Sequence, residues 1–528
     1  MTTPMKKLKA PLTILCGILH ILIVKGKDTL IFSAPEAPGL TFYCILGCAI
    51  LFCFLFYFLF FTLVQKLLAR DRVFLSYFKY FLGYFIFMGI FWLFTWPGIF
   101  KGDEFYVING ALHFTLSPAQ TGLTSIFYIV ALLFFPSMAT ITFFQLLIIC
   151  TIFAVVLHDM SEFITGRRKL VLYIPFVLLP VIDGNLFTLR ATLVSWIFLF
   201  VISKLFYLVR TDTLNLRYAC FLSVLTGLLI AWRSEYIYML LLLPFTVWFL
   251  KKLPLKQIFL LCIVCFLSYS LFQVPNKIAS AGSNKYPISL VLNPVANLFT
   301  EVETLKGPSV YDDVMEINKL VDAALLRQSA SVRNISQYWN IPDILPQEQL
   351  RSFMEASLRL IIYNPDKFLK YRWQTFAYTN GLYPDRVNHP CGTVDSINKL
   401  IYYDVDYKNM FVCMQAPLGQ QLREKAISLL ACRTYGQDEI KTNSLLPVFY
   451  NCIPVIVCML VLFIHACLKK DRLTAMLVLM VSTQVILIFL TAPAMFFMYY
   501  FCFYLNGYFL TALAVANSAN DRHIKKAR

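Results

Sequence analysis

The chain has 528 residues, of which 59% are hydrophobic and only 14% charged, and it carries 49 Phe and 29 Tyr. No water-soluble fold needs that much apolar surface, so composition excludes a soluble globular protein and leaves an all-α polytopic membrane protein. The net charge of +17 is not a nucleic-acid signal. Acidic and basic residues nearly balance between 271 and 443, and the excess sits in short loops and tails where it orients helices in a bilayer. The apolar stretches are continuous and not alternating, which argues against an outer-membrane barrel.

Met1 to Lys9 is basic and leads into an apolar run at about 11–24. No small-residue cleavage site follows, so it reads as an uncleaved first helix. Further runs lie at about 39–65, 74–96, 123–157, 169–183, 187–209, 217–232, 236–250, 257–273, 445–466, 473–491 and 495–517. The run 123–157 is too long for one span and is interrupted by Pro136-Ser137. Basic clusters at Lys6-Lys7-Lys9, Lys66–Arg72, Arg167–Lys169, Lys204–Arg217, Lys251–Lys256, Lys469–Arg472 and Arg522–Arg528 fall at every second junction only if 123–157 crosses once. The expectation is about twelve spans with both termini cytoplasmic, residues 123–135 forming an interfacial helix. Lys25-Gly26-Lys27 is the one cluster that lands outside.

Three regions follow: membrane residues 1–273, an extracytoplasmic and mostly helical domain over 274–443, and C-terminal membrane helices over 444–528. The outer face then carries the loop 97–137, two short turns near Asp183 and Arg233, and the 274–443 domain. Helices are predicted there at Pro346–Tyr363 and Asp366–Tyr378. Turns are expected at Asn293-Pro294, Asn364-Pro365, Tyr383-Pro384-Asp385 and His389-Pro390.

Six charges gather on that outer face: Asp103, Glu104, Asp183, Arg190, Arg233 and Glu235. Each lies at or just inside the end of an apolar segment, where a charge is costly unless paired or wet. Asp103-Glu104 follows Trp96-Pro97-Gly98; such a carboxylate can deprotonate an acceptor hydroxyl or hold a divalent cation, or simply be a solvated loop. Arg190 and Arg233 have the planar fork that grips a phosphate or diphosphate. They could equally snorkel to headgroups, and Arg233 could pair with Glu235 alone. Lys285 adds a candidate phosphate contact. His113 and His389 are further outer-side candidates, more often mere polar surface.

Cys391, Cys413 and Cys432 are the three cysteines in the polar segment, enough for one disulfide with one left over. Asn334-Ile335-Ser336 is a glycosylation sequon by pattern. No GxGxxG, Walker loop or HExxH motif occurs, which disfavours nucleotide-driven chemistry and zincin proteolysis.

With these residues the chain resembles the bacterial multi-spanning glycosyltransferases of the GT-C type, and within them the O-antigen-modifying sugar transferases. The likeness rests on Trp96-Pro97-Gly98 followed by Asp103, on Arg190 at the start of a mid-chain span and on Arg233 in a short outer turn. The basic-aromatic segment Asn364-Pro365-Asp366-Lys367-Phe368-Leu369-Lys370-Tyr371 completes it. It spans most of residues 75–380, with two departures: Ser117-Pro118 stands where a His-Pro pair is expected, and Arg190-Ala191 where Lys-Asp is. The resemblance implies an inverting transfer of a sugar from a polyprenyl-phosphate carrier to a glycan or lipid-linked acceptor. The site would face the periplasm from the bacterial inner membrane. It implies Asp103 as the base, with Glu104 helping or binding a metal, Arg190, Arg233 and Lys285 on the lipid phosphate, and Asp183, Glu235 and His113 in support. An O-antigen polymerase or ligase, a flippase or transporter of lipid-linked saccharide, and a non-catalytic scaffold stand as the other readings.

Overall fold

The computed structural model describes residues 2–28, 39–100, 102–118, 120–188, 190–281, 283–330, 336–383, 416–435, 440–442 and 445–526. The expectations for His389, Cys391, Cys413, the sequon at Asn334 and the turns at Pro384 and Pro390 lie outside them. Apart from two three-residue strands, β1 (Arg433–Tyr435) and β2 (Ile440–Thr442), which pair antiparallel, the described chain is helical.

The first half contains α1 (Thr2–Asp28), α2 (Leu40–Leu68), α3 (Arg72–Phe94), α4 (Gly102–Leu112), α5 (Gly122–Phe134), α6 (Met138–Ser161), α7 (Leu179–Leu186), α8 (Arg190–Arg210), α9 (Leu216–Trp232), α10 (Met239–Phe249) and α11 (Leu255–Phe272). Then come α12 (Val274–Ser280), α13 (Ile288–Leu298), α14 (Val310–Asn318), α15 (Ala323–Ser329), α16 (Gln347–Tyr363), α17 (Pro365–Thr379), α18 (Gln420–Leu430), α19 (Ile453–Leu468), α20 (Arg472–Thr491) and α21 (Phe501–Lys526).

Seven helices among the described residues are long and apolar enough to cross a membrane, or eight if a bent pair counts as one span. That is short of the twelve expected from the apolar runs. The difference lies in four shorter helices: Leu8–Val24, Leu216–Trp232, Ser234–Phe249 and Phe501–Asn517 are apolar but run only 10–17 residues. The run 123–157 divides at Phe135–Ser137 into α5, 13 residues long, and α6. At about 1.5 Å per residue α5 is roughly 20 Å long, too short to span alone.

Burial separates inner from outer helices. Some 72% of the α6 window and 78% of the α8 window are buried, against 11% for α2 and for α3. α6 and α8 therefore form the centre of the bundle. α2 and α3 turn Leu51, Leu59, Ile86 and Ile90 outward, an apolar surface suited to hydrocarbon.

The expected run at 169–183 is not one helix. A 3₁₀ segment, Gly166–Phe176, meets α7 at a 55° bend, where Pro175 and Pro180 deny the backbone its donors. Broken backbone at membrane depth is tolerated when protein groups satisfy it. Tyr84 donates to Phe176 O (3.0 Å), Gln145 Nε2 to Asn185 O (2.9 Å) and Phe187 O (2.7 Å), and Thr192 to Gly184 O (2.6 Å). Asn185 in turn accepts from Trp196 Nε1 (2.7 Å) and donates to Tyr84 (3.0 Å).

A second apolar core lies outside the bundle, built from Ile288, Leu292, Phe299, Ile317, Phe353 and Leu360 of α13–α17 and their connections. Glu301 ties this unit together, accepting from Lys370 (2.8 Å) and Tyr371 (2.7 Å). Those hydrogen bonds hold its carboxyl down at about 2. Since folding weakens proton binding there, the Glu301 contribution is complete above the ordinary carboxylate value and is lost as pH falls toward 2. Circular dichroism melts between pH 5 and pH 2 should show an acid-side loss that Glu301→Gln reduces.

The outer unit is fastened to the bundle by Arg372 of α17, which is fully buried. Its guanidinium donates to Ala492 O (2.8 Å) and Leu490 O (3.4 Å) at the C-terminal end of α20, and to Thr375 Oγ1 (2.9 Å). A cation suits the negative end of a helix, although burial pulls this one down to about 10.

Candidate functional site

The site begins with the loop between α3 and α4. Trp96-Pro97 is a cis peptide, and Trp92 Nε1 donates to Pro97 O (2.9 Å). Gly98 has φ +138°, and a Cβ there would collide with Thr142 Oγ1, so only glycine fits. Ile99 N donates to Leu186 O (2.9 Å), and Ile99 bridges Phe187 in parallel. Arg423 of α18 clasps the loop from outside, Nε to Trp96 O (2.8 Å) and Nη2 to Gly98 O (3.2 Å). α4 starts just beyond, with Asp103 and Glu104 in its first turn, where the helix dipole favours negative charge.

The strand-like pairing at Ile99 and Phe187 has a consequence for the charges. Asp103 is four residues past Ile99, and Arg190, the first residue of α8, is three past Phe187. The pairing sets side by side, at Ile99 and Phe187, the two segments that lead into Asp103 and Arg190. Tyr128 of α5 reinforces the junction by donating to Thr188 O (3.1 Å), and it lies within electrostatic reach of both Glu104 and Asp103.

Arg233 arrives by a separate route. Asn276 of α12 accepts from Gly122 N (2.9 Å) and donates to Ala231 O (2.6 Å), joining the start of α5 to the end of α9. Gly122 is needed there because a Cβ would strike Pro275 O. Arg233, at the end of α9, is 4% exposed. It pairs with Glu235 through two hydrogen bonds, Nη2 to Oε1 (2.6 Å) and Nε to Oε2 (3.3 Å). Its other nitrogen, Nη1, is buried and has no protein acceptor among the described residues.

Tyr286 and Tyr499 join the pieces. Arg190 Nη2 lies 3.5 Å from the Tyr286 hydroxyl with its guanidinium 6.0 Å from that ring, and Arg190 makes no ion pair within 4 Å among the described residues. Glu235 lies within electrostatic reach of Arg190. Tyr499 lies within reach of Asp103, Tyr286, Arg233 and Glu235 together. Asp103, Arg190, Arg233 and Glu235 thus form one cluster, with Gln120 Nε2 donating to Asp103 Oδ2 (3.0 Å).

Other candidates sit elsewhere. Asp183 is buried with its Oδ2 3.0 Å from the Tyr450 hydroxyl, whose one hydrogen is divided between that carboxylate and Leu430 O, so it braces α7 against the segment after α18. Lys285 is nearly buried and donates to Ile341 O (2.8 Å) while pairing with Asp343 (3.0 Å). His113 is exposed at the end of α4, Nδ1 2.8 Å from Asn109 O. Glu104 is fully buried, on a different side of α4 from the half-buried Asp103. Cys432 is buried without a disulfide, and burial pushes its thiol up to about 11.

Among the described residues no three His, Cys, Asp or Glu side chains gather as a metal-ligand set. Asp103 and Glu104 lie on different sides of α4 and do not converge on one cation. An apolar groove of about 600 Å³ opens beside the same loop, lined by Trp92, Trp96, Phe134, Phe135, Phe143 and Pro417 among others.

Sequence reasoning passes over Tyr286, Tyr499, Gln120 and Arg423. Tyr499 stands in Phe496-Phe497-Met498-Tyr499-Tyr500, which reads as apolar span. Arg423 is one more charge on a helix that carries several. Only Tyr286 had a signal, as the neighbour of Lys285. No protein-family model matches the chain, and no curated protein and no solved structure matches it either.

Proposed function

We propose that this protein is an integral-membrane glycosyltransferase that moves a sugar from a polyprenyl-phosphate carrier to a glycan or lipid-linked acceptor on the outer face of the bacterial inner membrane. The observation that carries the reading is the cluster itself. Asp103, a half-buried carboxylate, and Arg233, a buried guanidinium whose Nη1 has no protein acceptor among the described residues, both lie within electrostatic reach of Tyr499. Arg190, within electrostatic reach of Glu235, makes no ion pair within 4 Å among the described residues.

In this reading Asp103 takes the proton of an acceptor hydroxyl as its oxygen attacks the anomeric carbon. The bond from that carbon to the phosphate oxygen breaks with inversion, and polyprenyl phosphate leaves as an anion. Arg190 and Arg233 stabilise the charge that develops on the leaving phosphate, the electrostatic help that acts where charge appears. Glu235 offsets part of the Arg233 charge and fixes its fork. Lys285, held by Asp343, takes no direct part on the phosphate.

The apolar groove at Trp96 suits a hydrocarbon chain whose phosphate lies at the loop. Counting the seven long helices, the bent pair and the short helices at 8–24, 216–232, 234–249 and 501–517 as spans gives a GT-C-like membrane domain of twelve. α5 then lies in the interface and both termini in the cytoplasm.

Mass spectrometry of surface polysaccharide and lipid-linked glycans tests the reading in a null strain complemented with wild type or Asp103→Asn at equal expression. Loss of one hexose-sized increment in both the null and the variant is expected. A changed chain-length distribution would replace the transferase with a polymerase. A phenotype confined to the null would remove Asp103 from the mechanism and favour a flippase.

A further inference from the structure

Beyond Asp103, α4 turns one aromatic side chain outward. Tyr106 is three residues on and so shares the Asp103 face of the helix. It is 45% exposed while Phe105 and Val107 on either side are fully buried. The loop between Tyr338 and Leu345 of the outer unit stands nearby and is firmly held. Asn284 brackets it with three hydrogen bonds: its N to Asp343 O (2.8 Å), its Nδ2 to Leu345 O (2.8 Å), and Leu345 N to its Oδ1 (2.9 Å). Lys285 adds its bond to Ile341 O and sits 5.1 Å over the Tyr338 ring.

This bracing leaves the Asp343 side chain 67% exposed although its ammonium partner is nearly buried. Tyr106 lies within electrostatic reach of Asp343, and Tyr338 of Tyr286, Asp343 and Tyr106. The aromatic rim therefore runs from Asp103 around to Arg190. Burial pushes the Tyr338 phenol up to about 12, so it stays a hydroxyl at working pH.

A phosphate would meet the wrong charge at this rim, because Asp343 is its most exposed ionic group and Lys285 is already engaged. An apolar partner would strand that carboxylate. A saccharide satisfies both features. The C–H face of a pyranose packs on an exposed aromatic ring, and its hydroxyls donate to a fixed carboxylate.

We propose that Tyr106 and the braced Asp343 form the acceptor subsite, which holds a sugar of the acceptor glycan within one helical turn of Asp103. The assignment rests on the transferase reading above and adds the chemical class of the acceptor and the residues that choose it.

The test uses the full-length protein in lipid nanodiscs, labelled and applied to an array of bacterial surface oligosaccharides. Wild type should be retained on a subset of glycans. Tyr106→Ala and Asp343→Asn should each weaken that retention at least tenfold, whereas Tyr106→Phe should bind as wild type does. Failure of wild type to bind any glycan, or wild-type binding by Tyr106→Ala, overturns the subsite. The cellular glycans separate the two ideas. If Asp103→Asn loses its hexose increment while Tyr106→Ala binds normally, the subsite alone falls. If the null strain itself keeps the increment, the transferase reading falls and takes the subsite with it.

Discussion

Asp103→Asn should lower sugar transfer by about 10²–10⁴-fold, the range by which a positioned general base contributes, while donor and acceptor KM change little. Asparagine keeps the shape and can still accept from Gln120, whose Nε2 reaches Asp103 Oδ2 at 3.0 Å. What it cannot do is take a proton. The loss should therefore appear in kcat, as expected for an interaction made only in the transition state. Initial-rate assays with radiolabelled polyprenyl-phosphate sugar on reconstituted protein would read it. A kcat within tenfold of wild type would show that the acceptor is deprotonated elsewhere, and the cluster would lose its catalytic assignment.

The Glu235→Ala variant should lose about 3–5 kcal/mol of stability, because it leaves Arg233 buried without its carboxylate. Arg233 is 4% exposed and holds Glu235 through Nε and Nη2. Replacing both residues, Arg233→Met with Glu235→Leu, removes the stranded charge and should restore most of the melting temperature. Transfer should not return with it. Thermal melts of the three proteins in nanodiscs, read beside their activity, divide the two roles. A double variant that is both stable and active would make the pair purely structural.

Much of the fold follows from hydropathy alone. α2, α3, α8, α19 and α20 lie close to the apolar runs that announce them, because a helix is the one local answer for an apolar stretch in lipid. The break between Gly166–Phe176 and α7 was hidden, since Pro175 and Pro180 sit in a run whose residues are otherwise apolar. Its rescue by Gln145, Tyr84 and Thr192 depends on neighbours distant in sequence. The site divides the same way. Asp103, Arg190 and Arg233 stood out because a charge at the end of an apolar segment is costly. Tyr499 and Tyr286 cost nothing in such places, and only packing reveals that they join the charges. Asp183 carried the same signal as Asp103 but is consumed by Tyr450. Cost marks a residue as placed for a reason without saying which reason.

At the opposite ends of α3, α6 and α8 lies another buried charge. Asp159 accepts from Lys204 (2.6 Å) and Tyr77 (3.1 Å), beneath His158 stacked 3.7 Å from Tyr77. Its partners come from two other helices, α3 and α8, so it reads from sequence as a stray acid beside a basic loop. The structure makes it the pin that holds those helix ends together.

Arg372 imposes an order on synthesis. The carbonyls it holds, at 490 and 492, are made about 120 residues later in the chain. At roughly 5–20 residues per second that is a delay on the order of ten seconds. Through that interval the outer helices can assemble their own core, yet the guanidinium that seats them has no berth. The finished attachment must wait until α20 has entered the bilayer, and a chain that stalls before then would expose an unseated cation to quality-control proteases.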